Sequence, residues 1–365
     1  MKLRAKLIEL WSRVTPLKET EGYFANGGDD NYSKEIEKVI DNSPTAKRAS
    51  DALYSFIKGK RLSTDIDFDD NNSLSDVVRN MASDIAYQGG VWVHRSIKID
   101  TEGHFVTANL KVLDYHKCRK GKKDDNDFDG RVYYVDQKEG SFFSKSKTKW
   151  FYAFSDNQEV IKAQIISDAK DYEKETLEEA LESYRGQVIY INTTPKYVYA
   201  LSPFDAVFND MDTEYRISLY ANRMFRSGFL GKTMVMFSGL SEEDSENLEK
   251  NVTGWLGAEN TDNVYIAEVD NAEDVSKSLF FKQLDSQYDD DMSQNTEKRI
   301  TRNILGAAKN LPEALIFTND NAMFGSSGEM ITQLKSFYNS QTEDYRTIIE
   351  KNLARLGFNT QIEEL

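Results

Sequence analysis

The chain has 365 residues, 39 % apolar and 12 % aromatic, which is enough for a packed core and too much for a disordered protein. Its formal charge is −15, from 46 Lys and Arg against 61 Asp and Glu, the reverse of a protein that grips nucleic acid by neutralising phosphates. Apolar stretches such as Val235-Met236-Phe237 and Ala314-Leu315-Ile316-Phe317 are short, and none approaches the roughly 20 residues of a membrane span.

In chain order, Met1–Trp11 is basic and amphipathic but lacks the apolar core and small-residue cleavage site of a secretory signal, so a soluble protein made in a cytoplasm is expected. Helical spacing follows from Tyr32 to Asp41. Ser43-Pro44 then supplies a cap and first helical position for Ala46 to Lys58, with Ala49, Leu53, Phe56 and Ile57 on one stripe. Asp65 to Asn72 reads as an acidic loop. Ser73 caps a helix from Leu74 to Tyr87, which Gly89-Gly90 stops. From Val91 the period changes to two, predicting neighbouring strands at Val91–Ile99 and Phe105–Leu113 about a turn at Gly103. Arg119 to Gly130 reads as an exposed loop. Strands are expected at Arg131–Val135 and Lys149–Phe154, then one polar helix from Asn157 to Tyr184, then a strand at Gln187–Asn192.

The second half is organised differently. Ser202-Pro203-Phe204-Asp205 starts a helix that runs to Ser227, with Phe204, Val207, Phe208, Met211, Tyr215 and Leu219 at helical spacing. A small strand–helix–strand unit follows: Lys232–Phe237, Ser241–Trp255 and Asn263–Val269. Tyr288-Asp289-Asp290-Asp291 is an acidic start to a helix reaching Lys309, where charge in the first turn suits the helix dipole. After the loop Asn319–Gly328, a last helix runs from Glu329 to Leu356, with apolar positions that include Met330, Leu334, Phe337, Tyr338, Tyr345, Ile349 and Leu353.

Signals for catalysis are weak. One cysteine, Cys118, excludes an internal disulfide and a multi-cysteine zinc site; its neighbours Arg119 and Lys120 could activate it, but an inert thiol is the favoured reading. His94, His104 and His116 sit on or beside strands without metal-ligand spacing. Gly228-Phe229-Leu230-Gly231-Lys232-Thr233 has too few residues between its glycines for a phosphate loop, and it follows a helix where that loop follows a strand. The runs Asp289-Asp290-Asp291 and Asp124-Asp125-Asn126-Asp127 lack the Gly and distal Glu of a calcium loop. Asp210 and Asp212 project to different sides of their helix. No cofactor, metal site or catalytic set is expected.

The order long helix, small α/β module, long helix, loop, long helix resembles the portal proteins of tailed bacteriophages. Ala221-Asn222-Arg223-Met224-Phe225-Arg226-Ser227-Gly228 is similar to the end of that family's first stem helix. Ile300-Thr301-Arg302-Asn303-Ile304-Leu305-Gly306, with Leu311-Pro312, is similar to the exit of the second. Phe324-Gly325-Ser326-Ser327-Gly328-Glu329 is similar to the channel loop giving way to its helix, and Ala86–Val93 to the entry into the wing sheet.

The resemblance implies an α+β portal fold. Its parts would be a wing over 1–200, a first stem helix over 201–228, a clip over 229–278, a second stem helix over 279–311, a channel-loop region over 312–328 and a wing or tunnel helix over 329–365. The short tail from Phe358 to Leu365 leads to the expectation of a crown that is short or absent. It also implies a non-enzymatic homo-oligomeric ring of roughly a dozen copies at one capsid vertex. That ring would be assembled in the host bacterial cytoplasm, with double-stranded DNA passing through its channel in packaging and ejection. Partners would be the major capsid protein, the terminase large subunit and head–tail adaptor or neck proteins. DNA-facing residues would be Asn319, Asp320, Asn321, Met323, Phe324 and Ser326. Glu242, Glu243, Asp244, Glu246 and Trp255 of the clip would dock terminase and adaptor, although the acidic four equally suit a helix N-terminus. Competing readings are another ring-forming head-completion or neck protein and a metal-dependent nucleic-acid-processing enzyme.

Overall fold

Local chemistry dictates the first helices. In the computed structural model, which describes residues 19–20, 22–70, 72–122, 128–136, 147–171, 176–226, 233–237, 264–268, 279–283, 290–317 and 327–365, α1 spans Tyr32–Asn42 and α2 spans Pro44–Lys58. The Ser43 side chain accepts from the Ala46 amide at 3.2 Å, and Pro44 sits where no intrahelical amide bond is lost. Helix α3, Leu74–Gln88, begins with a reciprocal capping box: Ser73 Oγ accepts from the Asp76 amide, and Asp76 Oδ2 accepts from the Ser73 amide, both at 3.2 Å. It ends at Gly89 in the left-handed conformation, φ 71°.

The chain divides into two units, 1–209 with 303–365, and 210–302. The first holds an eight-stranded sheet of order β1-β2-β7-β8-β9-β10-β5-β6. In residues these are β1 Glu19–Thr20, β2 Tyr23–Phe24, β5 Gly90–Ile99, β6 Phe105–Val112, β7 Cys118–Lys122, β8 Phe128–Asp136, β9 Lys147–Ala153 and β10 Gln187–Asn192. Neighbours are antiparallel except β9 and β10, which run parallel. Helix α3 packs against β5 and β6.

Trp92 on β5 is fully buried and stacks on Tyr190 of β10 with ring centroids 3.9 Å apart, where the register puts the two residues opposite each other. Phe24, Tyr115, Cys118, Val132, Val188 and Tyr199 complete that core. A second cluster joins Ile97 of β5 to Ile161, Ile165, Ala169 and Ala180 on α4, Gln158–Asp171, and α5, Leu177–Ser183.

Several expectations need correcting. The predicted exposed loop from Arg119 to Gly130 contains β7 and the start of β8, and Cys118 and Arg119 are buried. The sequence looks hydrophilic there, but Arg119 is paired at 2.5 Å with Asp30 and donates to the His116 and Cys118 carbonyls, so its charge is buried with partners. The polar helix from Asn157 to Tyr184 is two helices, the second capped by Thr176 Oγ1 on the Glu179 amide at 3.3 Å. Within the acidic stretch Asp65–Asn72, β3 (Asp67–Asp69) pairs with β4 (Asn72–Ser73). The helix expected from Ser202 opens instead with a 3-10 turn, Asp205–Val207, and becomes α6 over Phe208–Arg226.

The second unit holds a three-stranded sheet: β11, Thr233–Phe237, lies between β12, Val264–Glu268, and β13, Leu279–Gln283. The β11–β12 pair is parallel and β11–β13 antiparallel. A parallel pair needs a long crossover, and residues 238–263 supply the length for one. The third strand is not singled out by the sequence pattern. Helix α7, Asp290–Ala307, ends in the first unit, where the last helix, α8, spans Ser327–Arg355.

Candidate functional site

Within the second unit, Asp210 on α6 pairs with Arg299 on α7 at 3.6 Å. Asp212 instead pairs with Arg216 one turn along its own helix at 2.6 Å. The two carboxylates thus serve separate cations, as their spacing on the helix requires.

The end of α7 and the middle of α8 are pinned together. Lys309 and Asn310 take left-handed backbone conformations, φ 59° and 55°, which end the helix before Pro312. The hydroxyl of the fully buried Tyr338 donates to the Ala308 carbonyl at 2.8 Å, and its ring meets Phe56 edge-on at 4.7 Å. Further along α8, the buried guanidinium of Arg346 donates to the carbonyls of Phe56 and Asn339 and to Thr342 Oγ1. The segment 318–326 is therefore bracketed by a 3-10 turn at Glu313–Leu315 on one side and α8 on the other.

Before Tyr338, α8 is unlike the rest of the helix. Residues 328–333 are all exposed, and Met330, Ile331 and Phe337 are 47 %, 36 % and 47 % exposed. Met330, Leu334 and Phe337 share one stripe. Their helical spacing predicts a core-facing row; among the described residues, Met330 and Phe337 have no core to face. Nothing in the sequence distinguishes them from Tyr338 and Ile349, which are buried.

Histidine and cysteine chemistry is occupied by structure. His94 Nε2 lies 2.9 Å from the Arg185 carbonyl, and burial lowers its pKa. His104 is exposed beside Asp100 and Glu102, and His116 lies between Ser33 Oγ at 3.0 Å and Glu37 at 2.5 Å. Cys118 is buried, and desolvation pushes its thiol far up despite Arg119. Among the described residues no group of three or more His, Cys, Asp or Glu side chains is positioned to hold a metal. No described helix is long and apolar enough to cross a membrane.

No protein-family model matches the chain, and no curated protein is significantly similar. Among solved structures, a chain of the neck of an empty GTA (gene transfer agent) particle, computed with C6 symmetry, is similar over 91 % of this chain and 84 % of its own. The identity is 13 % and the TM-score 0.51. This chain shares that chain's fold. The virion of the native gene transfer agent particle contains a chain at 13 % identity, TM-score 0.47, with 92 % and 83 % covered. A chain from the native particle's neck with C12 symmetry has 11 % identity, TM-score 0.46, with 92 % and 84 % covered.

The α+β architecture and the phage-type connector resemblance expected from the sequence agree with that fold. The expected channel residues Asn319, Asp320, Asn321, Met323, Phe324 and Ser326 lie outside the described residues. So do the clip residues Glu242, Glu243, Asp244, Glu246 and Trp255.

Proposed function

We propose that the chain is a portal-type subunit of the head-to-tail connector of a phage-like particle. Copies of it form a ring, of about a dozen subunits in closed symmetry, through which double-stranded DNA passes. The observation that carries this reading is the exposed opening of α8. Its first turns, with Met330, Ile331 and Phe337 in solvent, follow in the chain on the segment 319–326, to which this reading assigns the channel loop. Neighbouring apolar helix positions left bare to water mark a surface for another chain to cover, and in a ring a neighbouring copy supplies it. The likeness of nearly the whole chain to a particle neck component supports the same reading.

Two physical demands on a DNA channel agree with the composition. A duplex slides only if few Lys or Arg side chains can grip its phosphates, and this chain carries −15 formal charge per copy. By composition the segment from Asn319 to Ser326 is small and polar apart from Met323 and Phe324, and Gly325 carries no Cβ to restrict its backbone. In this reading Asn319, Asp320 and Asn321 face the duplex. Glu242, Glu243, Asp244, Glu246 and Trp255 form the surface for terminase and then for an adaptor, and the major capsid protein surrounds the ring. The chain works in the virion as a structural part and not as an enzyme. A different ring-forming neck role draws on the same fold likeness.

Electron micrographs of the purified protein test the proposal. The expected result is a ring with a central hole of duplex width that binds the terminase large subunit. A monomer with metal-dependent nuclease activity overturns it, and a ring that binds adaptors but never terminase favours the other neck role.

A further inference from the structure

A polar cavity of about 330 Å³ opens in the first unit between α1, α2, α3 and the turn at Tyr115–Lys117. Its wall is rich in acceptors. Glu37 and Asp41 come from α1, Asp84 and Gln88 from α3, and Asp114 from the turn. The nearby cationic groups already have partners. Lys47 lies 3.3 Å from Asp41 and 3.6 Å from Asp51 and donates to the Tyr87 hydroxyl. Both ring nitrogens of His116 are engaged, one with Ser33 and one with Glu37. Lys117 pairs with Asp114 at 3.6 Å.

Two acceptors stay without a donor. Asp84 Oδ2 is sealed from solvent with no hydrogen-bond partner, while the residue as a whole keeps partial exposure at the cavity wall. Gln88 is 3 % exposed and its Oε1 has no partner, because its amide nitrogen donates to the Ser33 carbonyl at 3.0 Å and so fixes the amide's orientation. An acceptor buried without a donor destabilises the fold, more so when charged, so the pair is costly unless something donates to it. Desolvation, with Asp114 and Glu37 nearby, also raises the Asp84 pKa.

The ligand's chemistry follows from what the wall lacks. No three His, Cys, Asp or Glu side chains converge among the described residues, so the acceptors are too dispersed to ligate one bare metal ion. They suit a larger cation that carries several N–H donors. A guanidinium or primary ammonium can donate to Asp84 and Gln88 while its charge offsets the surrounding carboxylates. We propose that this cavity is a binding site for an N–H-donating organic cation, with Asp84 and Gln88 as its acceptors. The cation is either a basic side chain of a neighbouring copy or a free amine. The site itself does not depend on the connector reading above, and only the assignment of its source rests on it.

Calorimetric titration of the full chain at low ionic strength tests this, with butane-1,4-diamine and methylguanidinium as probes. Tetramethylammonium serves as a cation of like charge without N–H groups. Saturable binding of the first two is expected, at least tenfold tighter than tetramethylammonium and at least tenfold weaker in Asp84→Asn. Equal binding of all three cations, no saturation, or an unchanged affinity in Asp84→Asn overturns the proposal. If Asp84→Asn does not fold, the comparison of the three cations on the unaltered chain still decides. The source is read by repeating the titration on assembled rings and on dispersed subunits. Binding lost in rings identifies a neighbour's side chain as the occupant, and binding kept in rings identifies a free amine.

Discussion

The guanidinium of Arg346 donates to the carbonyl of Phe56 at 3.0 Å, joining residues 290 positions apart. Phe56 lies in the last turn of α2, where carbonyls lack intrahelical donors, and Arg346 supplies one while also bonding Asn339, Thr342 and Glu364. Arg346→Met keeps most of the volume but leaves the Phe56 and Asn339 carbonyls buried without that donor. A loss of about 3 kcal/mol is expected in equilibrium denaturant unfolding. A change below about 0.5 kcal/mol would show the network to be dispensable.

Gly89 ends α3 with φ 71°, and a Cβ there would lie 2.1 Å from the Leu201 carbonyl oxygen. Gly89→Ala meets both a disfavoured backbone and a clash with another segment's main chain. It should destabilise the chain by roughly 2–4 kcal/mol, measured by thermal or denaturant melting. Gly103→Ala has open space at its Cβ and shares only the positive φ, so it should cost about 1 kcal/mol.

Stability should depend on pH through Asp84. Its folded-state pKa is raised above the ordinary 3.8 by burial and by Asp114 and Glu37. The folded chain therefore binds the proton more tightly than the unfolded chain. The favourable contribution is complete below 3.8 and is lost as pH rises through the folded value. In amine-free buffer, Asp84→Asn should be more stable than the unaltered chain near neutral pH, and the gap should shrink on acidification. Denaturant midpoints measured between about pH 4 and 8 check the sign. A gap that widens on acidification would contradict it.

If neighbouring copies cover the start of α8, then Met330→Asp with Phe337→Asp should block assembly without harming the subunit. Both side chains are already about half exposed, so the subunit's unfolding free energy should move by less than about 0.5 kcal/mol. Sedimentation velocity should show the ring replaced by monomer. Rings that persist in the double variant would remove this surface from the interface.

Cys118 should be inert. Its thiol is buried and burial drives its ionisation upward, so the thiolate that attacks an alkylating agent is scarce at neutral pH. Mass spectrometry after iodoacetamide treatment should find Cys118 unmodified in the native protein and alkylated in denaturant. Equal labelling in both states would mean that the strand Cys118–Lys122 opens readily.

Much of the fold was legible because it rests on local rules. Ser43-Pro44, the Ser73–Asp76 box and the Gly89 stop each act within a turn of chain, so helices α1 to α3 fall where spacing and caps predict. Alternation from Val91 identifies β5 and β6 for the same reason. Strand β7 was hidden because the charge of the buried Arg119 is met by Asp30, a partner 89 positions away. The sequence by itself therefore determined the capped helices, the alternating strands, the acidic balance and the long-helix order that suggests a connector. Only the tertiary structure decided which members of one apolar row on α8 are core and which are bare. Helical spacing assigns a residue to a face, but whether that face meets protein or water depends on what the rest of the chain brings to it.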